Sequence, residues 1–501
     1  MAAALRLFRL GRPSLWVDEI LTWYSIQDVL PSERTLLHEN VHGPLYSALL
    51  HAWVRVAGDG EWALRFPSVV FGVLLVPATA WLASRWLGRA TAVPAAWLAA
   101  TAPFLVWYGQ EARNYALLML CVAVSGALLL GMRRRLQPAG IAGYAATAAA
   151  GLLSNFSFAF LAPLHFAWWL GEPGRRGRRL AIAGGMAALL AIVALPWLAS
   201  VRGTWDWSRL APGHTAEGPE LRQGSTFHPA AVPWALHALA GGYTLGPPLR
   251  ALRSERSLHA IAPYAGEIAL VVVVFGALGV LGLAAVRRRG RLVEALLWLA
   301  VPIAILSWFA IRNFKVFHPR YLAVVMPGLI AVWAAGLADL GPRARRAFVV
   351  AIALVWGLSL VHLWFDPAHE KDDLRSAART IAARGRPGET VIAANTAGML
   401  FYYYRGPLAV RSYWLGYASD STRLAAHFAV MQGDSGSWVL LARPEDLDPR
   451  GAFARWVDAH HPNAERYAFP GVRLWHLGPA SRVPPRPEAP AQVRPAVRVG
   501  E

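Results

Sequence analysis

The chain has 501 residues, 56% of them hydrophobic and only 16% charged, where soluble domains carry about 25% charged residues. With a mean hydropathy of +0.36, this excludes an ordinary water-soluble enzyme and points to a chain solvated by lipid. The formal net charge of +19 reads as arginine-rich loops that hold a membrane protein in orientation, so no nucleic-acid partner is expected. The 23 tryptophans fit the same setting, because Trp favours the membrane interface. The single cysteine, Cys121, excludes an internal disulfide and a cysteine-based metal site. The Ala/Arg-rich, Lys-poor usage fits a GC-rich bacterium. Met1 to Leu10 lacks the long apolar core and small-residue cleavage site of a signal peptide.

In chain order, the N-terminal segment places Ile20, Trp23, Tyr24 and Gln27 at helical spacing, and likewise Tyr46, Leu49, Leu50 and Trp53. Both stretches read as amphipathic helices in the interface plane. A helix needs about 20 apolar residues to cross the hydrocarbon core. Runs of that kind predict crossings near 63–84, 91–109, 114–132, 139–154, 155–171, 180–201, 264–286, 292–311, 321–340 and 346–365. The pair meeting at Ser154-Asn155 is short on both sides. After Pro367 the pattern changes to helix over 372–383, strand over 390–394, helix over 421–431, strand over 437–442, helix over 452–460 and a strand pair within 467–477. This alternation predicts a small α/β domain. From about 479 the Pro/Arg-rich chain reads as disordered. The fold expected is thus a polytopic α-helical membrane protein of about ten transmembrane helices. Its membrane domain covers 1–365, with external segments 11–61 and 202–263, followed by an α/β domain over 366–478 and a tail over 479–501.

The arginines fix an orientation. Arg85 and Arg89, Arg133 to Arg135, Arg175 to Arg179, Arg287 to Arg291 and Arg343 to Arg346 fill every second connection, which makes those connections cytoplasmic. The others, including the N-terminal segment and everything after 366, then face out from a bacterial inner membrane. The alternation requires 139–171 to cross twice. It also leaves the N-terminal segment outside with nothing upstream to translocate it, so a first transmembrane helix ahead of Ala2 to Leu10 is expected.

Three clusters on the outer side carry chemistry. Asp18 and Glu19 follow Trp16 at a helix start, where an Asp suits a general base and equally suits helix capping and the helix dipole. Gln110-Glu111-Ala112-Arg113-Asn114-Tyr115 fills a turn between two apolar spans. Arg312 to Tyr321, with Lys315, His318 and Arg320, is a basic turn against the positive-inside trend. Such cations call for an anion: a lipid phosphate suits an arginine fork at that depth, and contact with ordinary lipid headgroups is the competing reading. His38, Glu39 and His42 lie within five positions and offer a weak divalent-metal set; lining a pocket or contacting phosphate is the competing reading.

The order of these pieces resembles a known group. Trp16-Val17-Asp18-Glu19, His42-Gly43-Pro44-Leu45-Tyr46, Glu61 to Ser68, Gln110 to Leu117 and, more weakly, Pro319-Arg320-Tyr321-Leu322 resemble the GT-C glycosyltransferases. The resemblance is to the bacterial branch related to protein O-mannosyltransferases and the lipid A aminoarabinose transferase (glycosyltransferase family 39-like). It spans residues 10–130. It implies an inverting glycosyltransferase, a hexosyl or pentosyl transferase using a polyprenyl-phosphate sugar among the membrane lipids, with the acceptor open between lipid, glycan and protein. By the same resemblance Asp18 is the catalytic base, Glu19 its neighbour and Glu111 the second acid. Arg113 and Arg320 hold the carrier phosphate, with His42, Tyr46, Tyr115, His318 and Tyr321 about the pocket, and Arg65 fixes the architecture. The family pattern is departed from at Asn114 and Gly43, where relatives often carry Pro. No cofactor is required by this scheme, and a divalent metal stays open. A flippase for a lipid-linked sugar and a ligase moving whole glycans are the alternatives. A flippase wants polar groups at mid-membrane depth, and the spans carry few.

Overall fold

A computed structural model describes residues 1–27, 43–134, 136–170, 176–201, 207–210, 227–254, 258–394, 397–413, 435–448 and 451–479. Two compact units emerge: Met1–Gly11, Thr22–Gly246 and Pro263–Trp364 form the first, and Arg12–Leu21, Pro247–Ala262 and Phe365–Glu501 the second. The expected helix over 421–431, the tail beyond 479 and much of the 202–263 segment lie outside the described residues.

The first unit is helical. Among the described residues, seven helices are long and apolar enough to cross a membrane: Glu61–Leu87, Tyr115–Arg133, Arg176–Ser200, Ala262–Arg288, Leu292–Ile311, Pro319–Asp339 and Pro342–Phe365. A bent pair, Arg89–Thr101 and Pro103–Gly109, with a 57° angle between its halves, makes an eighth when counted as one span. Pro103 explains the bend: it has no N–H to continue the ladder, and it drives Ala102 out of the helical region (φ −55°, ψ 120°). Two shorter apolar helices, Pro138–Ser154 of 17 residues and Phe156–Leu170, correspond to the paired segments 139–154 and 155–171.

Direct contacts sort the helix ends of this unit. At one end Glu294 accepts from Arg133 at 3.1 Å, Arg291 at 2.7 Å and the Trp86 indole at 2.7 Å. Arg289 reaches Asp339 at 2.5 Å and the Leu87 carbonyl at 2.9 Å, and Arg179 reaches the Arg133 carbonyl at 3.2 Å. The arginine-rich connections therefore gather together. At the other end Asn114 donates to the Ser154 carbonyl at 2.5 Å. The short pair accordingly runs away and back: Ser154 sits beside Asn114, while the Trp169 indole donates to the Arg179 carbonyl at 2.7 Å.

Small residues let these helices approach, as lipid-solvated helices require. A Cβ on Gly336 would meet the Gly282 backbone nitrogen at 2.8 Å, and one on Gly328 would enter the Trp298 ring at 2.3 Å. Arg6 is fully buried in a slot whose walls include Gly72 and Gly109. It donates to the Ala99 and Ala100 carbonyls at 3.1 and 3.0 Å, capping a helix end that Pro103 leaves open. Arg65, also buried, donates to the Leu10 carbonyl at 2.8 Å.

The second unit carries a five-stranded sheet of β1 (Thr390–Ala394), β2 (Ala409–Tyr413), β3 (Ser437–Ala442), β4 (Glu465–Phe469) and β5 (Val472–Leu477), in the order β2-β1-β3-β5-β4. β1 pairs in parallel with β2 and β3; β5 pairs antiparallel with β3 and β4. The central strands β1 and β3 are buried along their whole length, so they read as continuous apolar runs. Helix Leu374–Arg384 starts at Asp373, whose carboxylate accepts the Ser376 N–H at 3.0 Å, and buries Leu374, Ala377, Ala378 and Ile381 as one stripe. Phe453 and Val457 of helix Ala452–His460 pack with Ile392, Val439 and Trp475. The sequence did not mark β2; five residues with Arg411 and Ser412 among them give too short an apolar signal.

Candidate active site

In the first unit the turn after Gly109 is held from three sides. Tyr46, buried on helix Leu45–Ala57, bonds Ser68 at 2.8 Å, and Ser68 donates to the Arg113 carbonyl at 3.1 Å. The Arg113 guanidinium donates to the Thr22 hydroxyl at 2.9 Å. Asn114 is buried between the Ser154 carbonyl and Asn155, whose amide it accepts at 3.4 Å. Gly43 follows from this packing: a Cβ there would stand 1.9 Å from the Leu153 carbonyl oxygen. Within this frame Glu111 is buried, and Tyr115 stacks obliquely on Tyr108 with centroids 4.7 Å apart.

The basic turn lies at the same end of the unit. His318 caps the 3₁₀ segment Pro319–Val325 by accepting the Arg320 N–H on Nδ1 at 3.2 Å. Arg320 lies over the Tyr321 ring at 5.1 Å, and Lys315 Nζ over Tyr321 and Phe156 at 5.2 and 5.5 Å. Tyr243 joins the two turns. Its hydroxyl is 2.8 Å from that of Tyr108, and its ring is 6.1 Å from His318. Burial pushes the Tyr243 phenol pKa up; the Tyr108 hydrogen bond and Arg320 act against this, while Glu111 and Tyr115 act with it.

Val17–Leu21, the start of helix Val17–Tyr24, belong to the second unit, with Asp18 and Glu19 in the first turn. Asp18 sits at the second helical position and not at the cap, because the helix starts at Val17; the capping alternative for Asp18 is thereby corrected. Glu19 instead takes the returning half of a capping box, accepting the Trp16 N–H at 3.4 Å. Its side chain is fully buried and paired with Lys371 at 3.2 Å. Asp18 is half-buried. Of the two neighbouring carboxylates, Glu19 is buried in an ion pair with Lys371, and Asp18 stands half-buried in the first turn of the helix.

Of the expected residues, Glu111, Arg113, Tyr115, Tyr46, His318, Arg320 and Tyr321 fall in the first unit and Asp18 and Glu19 in the second. Tyr46 acts as a buried support of the 110–115 turn. His38, Glu39 and His42 lie outside the described residues, and with them the metal reading. Sequence reasoning did not find Tyr108, Tyr243 or Lys371. Tyr108 could have been noticed as a phenol one residue before the Gly109-Gln110 turn. Nothing local marks Lys371.

Residues 41–199 match the family model described as dolichyl-phosphate-mannose-protein mannosyltransferase. No curated protein matches the sequence. Among solved structures, ArnT from Cupriavidus metallidurans bound to undecaprenyl phosphate aligns over 95% of this chain and 96% of that one, with 15% identity and a TM-score of 0.58. The apo form aligns with a TM-score of 0.56, also at 15% identity, over 94% and 96% of the two chains. The archaeal oligosaccharyltransferase AglB from Archaeoglobus fulgidus, in complex with an inhibitory peptide and a dolichol-phosphate, aligns over 96% of this chain and 74% of that one, with 14% identity and a TM-score of 0.51. The chain accordingly has the polytopic helical membrane fold of these solved structures, the GT-C fold, and its residues 41–199 match the mannosyltransferase family model.

Proposed function

We propose that this protein is an inverting glycosyltransferase that moves a sugar from a polyprenyl-phosphate carrier to an acceptor on the extracytoplasmic face of a bacterial inner membrane. The observation that carries the reading is the cationic turn of Lys315, His318 and Arg320, set against Tyr243 at the end of the apolar helices away from the Glu294 and Asp339 arginine clusters. A fold shared with a protein bound to undecaprenyl phosphate supports the same donor class.

The chemistry needs few parts. Polyprenyl phosphate is a good leaving group, so no strong general acid is required. Asp18 takes the proton of the acceptor hydroxyl as it attacks the anomeric carbon, the bond to the carrier phosphate breaks, and the charge left on that phosphate is met by Arg320 and Arg113. Cations placed where charge develops are the larger contribution, often about 3 kcal/mol each. The transition state has oxocarbenium character, as in glycoside hydrolysis. Glu111 is the second acid, buried in the turn that precedes Tyr115. The donor sugar, a hexose or a pentose, and the acceptor, a lipid, glycan or protein, are what the assay must identify.

The test is transfer from radiolabelled polyprenyl-phosphate sugars by the purified protein in liposomes containing bacterial lipid extract. A new labelled product supports the transferase. Label that crosses the bilayer without a product makes the protein a flippase, and transfer only of whole lipid-linked glycans makes it a ligase.

A further inference from the structure

The segment that carries Asp18 belongs to the second compact unit, with the C-terminal sheet, although some 350 residues of sequence separate them. The contacts within that unit are specific. The Leu15 N–H donates to the Tyr403 hydroxyl at 2.5 Å and the Ser14 hydroxyl to the same oxygen at 3.1 Å. Arg375 donates to the Pro13 carbonyl at 3.1 Å. Lys371 closes the set: its ammonium is 3.2 Å from Glu19 Oε2 and 5.9 Å from the centroid of the Trp16 ring, and its side chain is 13% exposed while that of Glu19 is not exposed at all.

We infer that Lys371 is a positioning residue of the transferase, holding the helix start that presents Asp18 through its ion pair with buried Glu19. This rests on the reading of Asp18 as the base. The physical case is that a buried carboxylate is tolerated only when paired. Glu19 is adjacent to Asp18 and bonded back to the Trp16 amide, so the pair fixes the first helical turn as a unit. Tyr403 fixes the two residues before it. On this account the C-terminal sheet unit is a working part of the enzyme: it sets the orientation of the carboxylate that must meet the acceptor hydroxyl, and small errors there cost rate rather than donor affinity. Lys371 touches no reacting atom, so the effect passes through Glu19.

The experiment uses the full chain in lipid nanodiscs, with Lys371→Met, Lys371→Arg and Tyr403→Phe beside the wild type. Amide hydrogen exchange over residues 14–19 and steady-state transfer are both read. Lys371→Met should speed exchange at Trp16 to Glu19 about tenfold and lower kcat about tenfold or more, with the donor KM within about twofold. Lys371→Arg should restore most of both, because it keeps the cation. Unchanged exchange and unchanged kcat in Lys371→Met overturn the inference, as does faster exchange with kcat intact. If Lys371→Met does not fold, Tyr403→Phe decides: faster exchange at Leu15 with lower kcat supports positioning by this unit, and no change in either overturns it. If the wild type transfers no sugar from any donor, the proposed function has failed, and the exchange data alone decide whether Lys371 holds the segment.

Discussion

The Tyr108 and Tyr243 hydroxyls lie 2.8 Å apart in a buried contact between residues 135 positions apart in sequence, and this pair ties the Glu111 turn to the cationic turn. Tyr243→Phe removes one partner and leaves the Tyr108 hydroxyl buried without it, at a cost of about 1–3 kcal/mol. The expected result is a lower thermal midpoint in detergent together with weaker donor binding. An unchanged midpoint and an unchanged donor KM would show that the pair joins nothing of consequence.

On the proposed function Arg320 meets the carrier phosphate. Arg320→Ala should raise the donor KM and lower kcat, for a combined loss of roughly 10–100-fold in kcat/KM, the range expected for a charge-assisted hydrogen bond of about 1.5–3 kcal/mol. Arg320→Lys should recover part of it, since lysine supplies the charge without the fork. Equal kcat/KM in all three proteins would remove Arg320 from the site.

Much of this arrangement could be read along the chain, and the reason is the bilayer. A crossing must be long and apolar whatever its neighbours, so segments such as 264–286 and 346–365 announce themselves locally. The polar residues that interrupt them, Glu111 and Arg320 among them, stand out because lipid penalises them. Pairings across the sequence do not announce themselves. Tyr243 matters because Tyr108 faces it, and Lys371 because Glu19 is buried against it; neither local sequence differs from an ordinary loop. Arg6 is a similar case, since its slot is built by Gly72 and Gly109. Strand β2 was missed because its partner β1 supplies the apolar signal that its own five residues lack.

Gly43 packs directly against the backbone of Leu153. Gly43→Ala puts a methyl group 1.9 Å from the Leu153 carbonyl oxygen and 2.6 Å from its Cα, backbone atoms that cannot rotate away. Overpacking of this kind costs about 1–3 kcal/mol. The substitution should lower the thermal midpoint measurably. A wild-type midpoint would mean that the helix Pro138–Ser154 shifts freely, contrary to its bond from Asn114.

The C-terminal unit should weaken in acid. Burial works to raise the Glu389 carboxyl pKa, but hydrogen bonds from the Arg386 N–H, His476 and the Trp438 indole outweigh it, and the net pKa falls below the ordinary 4.5. A carboxylate depressed in the folded state stabilises fully above its unfolded pKa, and that contribution is lost as pH falls through the folded value. Unfolding of this unit, followed by near-ultraviolet circular dichroism, should therefore show stability dropping below about pH 4.5, with Glu389→Gln flattening the slope there. An identical acid profile in the variant would show that Glu389 contributes nothing to it.

The central claim is that Asp18 is the base of a sugar transfer from a lipid-phosphate donor. The most direct measurement compares product formation by wild-type and Asp18→Asn protein in the same liposomes, with circular dichroism confirming that both are folded. The account predicts transfer by the wild type and a loss of about 10²–10⁴-fold in the variant, the usual contribution of a general base. Transfer by Asp18→Asn at the wild-type rate would contradict it.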